Sequence, residues 1–124
     1  MRLSITTIIL FIIIQLYSTS MAYSTEVGKA SHYSTKCNGG SHTASGYKLV
    51  NNANLAAHKT LPFGTLVKVT NLKNGKSAVV KIVDRGPYKR GRIIDLTISV
   101  AEKLGFKRQG ITTVKLEVVG KIKI

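Results

Sequence analysis

Beyond about residue 60 the chain alternates apolar and polar positions with a period of two, as strands with one buried face do. In Thr65-Leu66-Val67-Lys68-Val69-Thr70-Asn71, Val67 and Val69 fall on one side and Lys68 and Thr70 on the other. Leu72-Lys73-Asn74-Gly75-Lys76 follows, and its Asn-Gly pair tolerates the positive φ of a tight hairpin turn. The return segment Ser77-Ala78-Val79-Val80-Lys81-Ile82-Val83 is apolar on both faces for much of its length, which predicts a central strand with neighbours on both sides. Residues 113–119 alternate again, with Val114, Leu116 and Val118 opposite Lys115 and Glu117. A small apolar strand, Leu55-Ala56-Ala57, precedes His58.

One stretch carries helix signals. Ile98 to Gly105 offers a Ser99-x-x-Glu102 capping box, Thr97 as a competing N-cap, and Gly105 as a stop. Strands in the majority, one short helix, many glycines and no strand–helix–strand rhythm predict an all-β single domain, a small barrel with a helix at one end.

The chain opens differently. Arg2 is followed by an apolar run from Ile5 to Leu16 and then by small and polar residues ending Ser20-Met21-Ala22. The run falls short of the ~20 residues a spanning helix needs, and the ensemble reads as a secretory signal, residues 1–22, cleaved near Ala22. The alternative is an uncleaved anchor. Residues 23–27 read as a flexible lead, 28–120 as the barrel, and 121–124 as a basic tail.

Charge narrows the partners. The 124 residues hold 19 Lys plus Arg against 5 Asp plus Glu, a formal charge of +14. Losing Arg2 with the signal leaves 18 basic and 5 acidic residues, hence +13. In the cytoplasm such a balance would point to nucleic acid. For an exported chain it points to anionic wall polysaccharide, or to a basic surface that serves solubility. No nucleic-acid partner is expected. The single Cys37 excludes an intramolecular disulfide framework and, placed well past the apolar run, is no lipid acceptor, so no lipid anchor is expected. His32, Cys37 and His42 are spaced as conceivable metal ligands, but no fourth ligand is evident, and neither metal nor cofactor is expected.

Carboxylate chemistry must come from Glu26, Asp84, Asp95, Glu102 and Glu117. Glu102 is taken by the capping box, Glu117 reads as a surface charge, and Glu26 lies in the lead. Asp84 and Asp95 remain. Asp84 ends an apolar strand, where a carboxylate is held at a sheet rim. Gly86-Pro87 then turns the chain, and the loop presents Tyr88, Arg90 and Arg92 before Asp95. A carboxylate beside an aromatic ring and several donors suits a glycan; equally, Asp84 pairs with Arg85 or Arg92 and ties the loop. Asp95 reads as a cap or loop partner just before the helix. His58 is either a satisfied core group or a donor that orients substrate or the catalytic carboxylate.

The residues Ala30-Ser31-His32-Tyr33, Thr43-Ala44-Ser45-Gly46, Ala56-Ala57-His58-Lys59-Thr60-Leu61-Pro62-Phe63-Gly64-Thr65, Val69-Thr70-Asn71, Asp84-Arg85-Gly86-Pro87-Tyr88 and Arg92-Ile93-Ile94-Asp95-Leu96-Thr97 occur in this order. Together they resemble the rare lipoprotein A family of septal-ring lytic transglycosylases, over about residues 28–119. The resemblance implies a six-stranded double-psi β-barrel related to expansin and barwin domains. It implies cleavage of peptide-stripped peptidoglycan strands to 1,6-anhydro-N-acetylmuramic acid ends; the chain itself, read as exported from its opening segment, is expected to be a periplasmic or secreted monomer. It places the family's His on His58 and its Asp-Arg-Gly-Pro aspartate on Asp84, the expected catalytic pair. Tyr47, Arg85, Tyr88, Arg92 and Asp95 are the expected glycan-binding set. The family carries a Glu after its Thr-Ala-Asn/Ser-Gly motif, where this chain has Tyr47. That departure supports the alternative, a non-catalytic, expansin-like protein that binds wall polysaccharide.

Overall fold

The computed structural model describes residues 4–9, 24–33 and 43–124. Residues 5–9 are helical and exposed, and the expected cleavage point near Ala22 lies outside the described residues. The domain is built from β1 (Thr25–His32), β2 (Leu55–Ala57), β3 (Thr65–Asn71), β4 (Ser77–Asp84), β5 (Arg92–Leu96), one helix α1 (Ile98–Lys103) and β6 (Ile111–Lys121). The strands close into a barrel in the order β1-β5-β2-β4-β3-β6. β1 runs parallel to β5 and β2 parallel to β4, and the other neighbours are antiparallel. Closure leaves no free sheet edge.

The alternating residues fill the barrel. Val67, Val69, Val80, Ile82, Ile94, Leu96, Val114 and Leu116 are buried with Val100, Ala101, Leu104 and Phe106 from the helical end in one core. Each full-sized apolar side chain buried this way contributes roughly 1.5–3 kcal/mol. β4 has neighbours on both sides, as its two-faced apolar pattern predicts.

Three expectations are corrected. The lead at 23–27 is already strand from Thr25, because Thr25, Glu26 and Val27 pair with Glu117, Leu116 and Lys115 of β6. Their exposed side chains hide a backbone held wholly by pairing. The loop expected to run to Asp95 ends earlier: Arg92 opens β5, and Asp95 is a strand residue paired with Ser31 and Ala57. The capping box does not form. Thr97 is the N-cap without a side-chain cap bond, and its hydroxyl donates to Ala53 O instead. Glu102 accepts from Lys107 Nζ at 2.7 Å on the surface.

The helix stop is as read. Gly105 (φ +77°) lets its own N–H reach Glu102 O and Phe106 N–H reach Ala101 O, which together satisfy two of the last carbonyls. Asn71 and Asn74 Nδ2 both donate to Leu104 O, at 2.8 and 2.9 Å. A six-residue helix has little stability alone, and the β3–β4 turn holds this one by its C-terminal end.

The tail is tied down at Ile122, whose N–H donates to Gly64 O at 2.8 Å. Gly64 has φ +89°, and a Cβ there would lie 1.9 Å from Ile122 O. Gly75 also has positive φ (+76°) but open space around it. Gly75→Ala is therefore expected to cost about 1 kcal/mol, the conformational penalty alone. Gly64→Ala should cost at least ~3 kcal/mol, because backbone must move to admit the methyl group. Urea unfolding of the two variants checks the ordering; equal losses would mean the tail contact contributes nothing.

Candidate active site

The outer face of the barrel carries a row of residues in register across four adjacent strands. Ser31 of β1 pairs with Asp95 of β5, Asp95 with Ala57 of β2, and Ala57 with Asp84 of β4. Strands lie ~4.8 Å apart, so the two aspartates stand roughly 10 Å apart at the backbone, flanking a side chain no larger than a methyl group. Both are half-buried.

A register shift makes the row possible. Between Ala56 and Ala57 the partner in β4 jumps from Ile82 to Asp84. Ile82 points into the core, and Val83 and Asp84 both end up on the outside. There Val83 packs with Leu49 and Leu55, with Tyr33 and Ala53 against them, in a small second core under the segment 43–55.

Asp84 accepts three hydrogen bonds. Its Oδ2 takes one from Tyr33 Oη (3.0 Å), and its Oδ1 takes two, from Ala44 N and Arg85 N (both 2.9 Å). The Ala44 donor is delivered by a tight turn in which Thr43 N donates to Tyr47 O (3.0 Å) and Gly46 N to Thr43 O (2.9 Å). Among the described residues no Arg or Lys is in ion-pair contact with Asp84. The expected pairing with Arg85 or Arg92 is thereby replaced by neutral donors.

Asp95 is different. Its Oδ1 accepts from Ser31 Oγ at 3.2 Å. Burial pushes its carboxyl above the ordinary value of 3.8; the Ser31 bond and the charges of His32 and Arg92 oppose the rise, and Asp84 adds to it.

His58 is buried and both ring nitrogens are committed. Nδ1 accepts from Thr60 N and Leu61 N (both 3.1 Å), which fixes the proton on Nε2, and Nε2–H donates to Glu26 Oε2 at 3.0 Å. The turn it organises presents two carbonyls, His58 O and Leu61 O, to Arg85 Nη1 (3.3 and 2.8 Å). The Arg85 guanidinium also stacks 4.0 Å over Phe63. His58 and Arg85 are therefore linked to the Asp84 corner through backbone: His58 N–H donates to Asp84 O at 3.1 Å. Sequence reasoning discarded Glu26 as lead. The signal available was the alternation Glu26, Gly28, Ala30, which puts Glu26 on the barrel-facing side at the mouth, opposite Leu116.

Of the remaining expected residues, Tyr88 is the most exposed aromatic, at 78%, just after the Gly86–Pro87 turn. Arg92 opens β5 near Asp95. Tyr47 is half-exposed, and Lys81 Nζ donates to its hydroxyl (2.9 Å) while lying 4.1 Å from the ring centre. His32 faces backbone carbonyls with its two ring nitrogens, Tyr33 O at 3.0 Å and Lys107 O at 3.1 Å; Cys37 and His42 lie outside the described residues.

The family model described as lytic transglycolase matches residues 25–116, and the chain belongs to that family. It is 52% identical over 95 residues to the endolytic peptidoglycan transglycosylase RlpA of Rickettsia felis, covering 75% of this chain and 42% of the relative. It is 50% identical over 97 residues to the RlpA of Rickettsia typhi, covering 77% and 30%. The chain thus spans well under half the length of these relatives. Its fold matches the apo expansin of Clavibacter michiganensis with a TM-score of 0.59 at 23% identity, over 82% of this chain and 53% of that one. The barrel is a double-psi β-barrel, as the motifs imply.

The raised value of Asp95 has a consequence for stability. Native Asp95 holds its proton to higher pH than the unfolded chain does, so its contribution to stability is full below pH 3.8 and is lost as pH rises through the native value. Asp95→Asn keeps an acceptor for Ser31 and removes this loss. The variant should melt higher than the parent at neutral pH, with the gap closing toward pH 3.8 and below. A gap that stays constant from acid to neutral pH would refute the burial effect.

Proposed function

We propose that this chain is a peptidoglycan lytic transglycosylase that cleaves peptide-stripped glycan strands and leaves 1,6-anhydro-N-acetylmuramic acid ends. The observation that carries the proposal is the pair of aspartates held in register on one outer row, either side of Ala57. Membership of the family and the names of its relatives support the substrate class.

The reaction needs one proton given and one taken, with no water. The C1–O bond to the leaving sugar breaks as its oxygen is protonated, and the C6 hydroxyl of the same muramic acid attacks C1 and gives up its proton. Asp95, kept toward its protonated form by burial, is the donor in this reading. Asp84, whose oxygens already serve as acceptors for three donors, takes the C6 proton. Tyr33 and the Ala44 and Arg85 amides hold Asp84 in place. Tyr88 offers a stacking face at the rim, and Arg92 a donor beside Asp95. His58, with no free nitrogen, is a positioning residue: it sets the 58–61 turn that grips Arg85. The protein works outside the cytoplasm, in the periplasm or secreted, as a monomer.

The second reading, polysaccharide binding without cleavage, is favoured by one observation. Tyr47 stands where the family has Glu, and its hydroxyl accepts from Lys81, so that position supplies no carboxylate.

Incubation with peptide-stripped glycan strands and mass spectrometry of the products separates the two. The wild-type chain should release anhydromuramyl ends, and Asp84→Asn should lower the rate by at least about 10²-fold while the folded variant still binds glycan. No ends from the wild type, but ends from Tyr47→Glu, would establish the binding reading instead.

A further inference from the structure

Lys81 has a position and a charge that the proposed chemistry leaves unused. It follows the outward alternation of β4 and pairs with Leu55 one row away from the Ala57–Asp84 row. Ile82 and Val83 separate it from Asp84, so the two lie three residue steps, roughly 10 Å, apart along the strand. A single tight turn bridges them: Ala44 N–H reaches Asp84, and three residues on Tyr47 Oη accepts from Lys81 Nζ. The ammonium thus stands on the outer face, fixed in direction by a hydroxyl at 2.9 Å and a ring face at 4.1 Å. No described carboxylate lies within ion-pair distance of it. One phenol hydroxyl and one ring leave at least one ammonium proton to donate, because Lys carries three.

Such a cation prefers an anionic ligand group to a neutral one. Muramic acid carries a lactyl ether whose carboxyl group is an amide when a stem peptide is attached and a free carboxylate when it is not. We infer that Lys81 and Tyr47 form a carboxylate subsite on the same outer face as Asp84, which takes the free lactyl carboxylate of a peptide-stripped muramic acid. This rests on the glycan reading above and assigns the atoms that would distinguish stripped from substituted strands. Lys81 gives charge, and the Tyr47 ring and hydroxyl hold the ammonium in one direction. A Glu at position 47 would instead place a carboxylate beside Lys81 and neutralise it.

The test is equilibrium binding of the full chain to two forms of a soluble peptide-free disaccharide, N-acetylglucosaminyl-N-acetylmuramic acid, which lacks the bond that would be cut, one with its lactyl carboxylate intact and one with it reduced to an alcohol. The wild type should bind the carboxylate form about threefold to tenfold more tightly, a preference that shrinks with added salt. Lys81→Met should bind the two forms equally. Tyr47→Phe, which keeps the ring face, should retain part of the preference, and this second variant separates loss of the subsite from loss of fold. A preference that survives intact in a Lys81→Met variant of wild-type melting temperature overturns the subsite, as does a wild type that binds both forms equally; in either case the glycan reading stands. Failure of the wild type to bind either form overturns the glycan reading and the subsite with it.

Discussion

The one-residue register shift between β2 and β4 is the constraint on which the site depends. With unbroken alternation Ala57 would face Val83, and Asp84 would turn toward Val80 and Ile82 in the core, where an ionised carboxylate has no partner. The shift sends both Val83 and Asp84 outward. Val83 then becomes the centre of the second small core under residues 43–55, and that core carries the turn whose Ala44 N–H meets Asp84. The carboxylate and the segment that holds it are thus products of the same irregularity. Because the barrel is closed, a shift at this pair must be absorbed within the other pairings, and β1–β5 and β3–β6 each show one.

The supports around Asp84 are mostly backbone donors, and this explains why the chain spends other side chains on turns. His58 accepts two amides to shape residues 58–61, and that turn's carbonyls hold Arg85, the residue whose own N–H bonds Asp84. Glu26, at the barrel mouth, completes His58. At the opposite end Asn71 plays the comparable part. Buried, it donates to Leu104 O and accepts from Lys73 N and Thr112 Oγ1, joining hairpin, helix and β6. Buried polar groups of this kind contribute order to the fold only while each partner is satisfied.

The parts legible in the sequence are those written in a period of two. β3, β4, the Asn-Gly hairpin and most of β6 follow from alternation and turn chemistry, and the helix stop follows from Gly105. The opening of β1 was illegible because Thr25, Glu26 and Val27 are exposed and their backbone is held by pairing with β6, so no buried apolar side chain announces them. β5 was illegible because five residues after a loop rich in Arg and Lys offer no more than two alternations. At the site, Asp84 and Asp95 emerged by elimination among five acids, while their common row could not, because strand order around a closed barrel is not a local property. Glu26 and Lys81 were missed for the same reason. Each has its partner more than thirty residues away in sequence, His58 and Tyr47.

The exchange at position 47 has no explanation in stability. Tyr47 is half-exposed, and the contact of Lys81 with its ring is worth ~0.5–1 kcal/mol at such a site. An exposed ion pair between Lys81 and a Glu would be worth about the same. The difference is in what faces the ligand. A carboxylate at 47 would neutralise Lys81. Tyrosine leaves a directed positive charge there instead, and in the proposed reaction proton transfer then falls to the two aspartates of the Ala57 row. In the proposed reaction Asp95 fills the donor's part at a cost in stability, since the burial that raises its pKa also opposes its ionisation in the folded chain. A carboxyl kept half-buried against that penalty, on the same row as an acceptor held by three donors, suits the proposed proton transfer and is not what folding alone would favour.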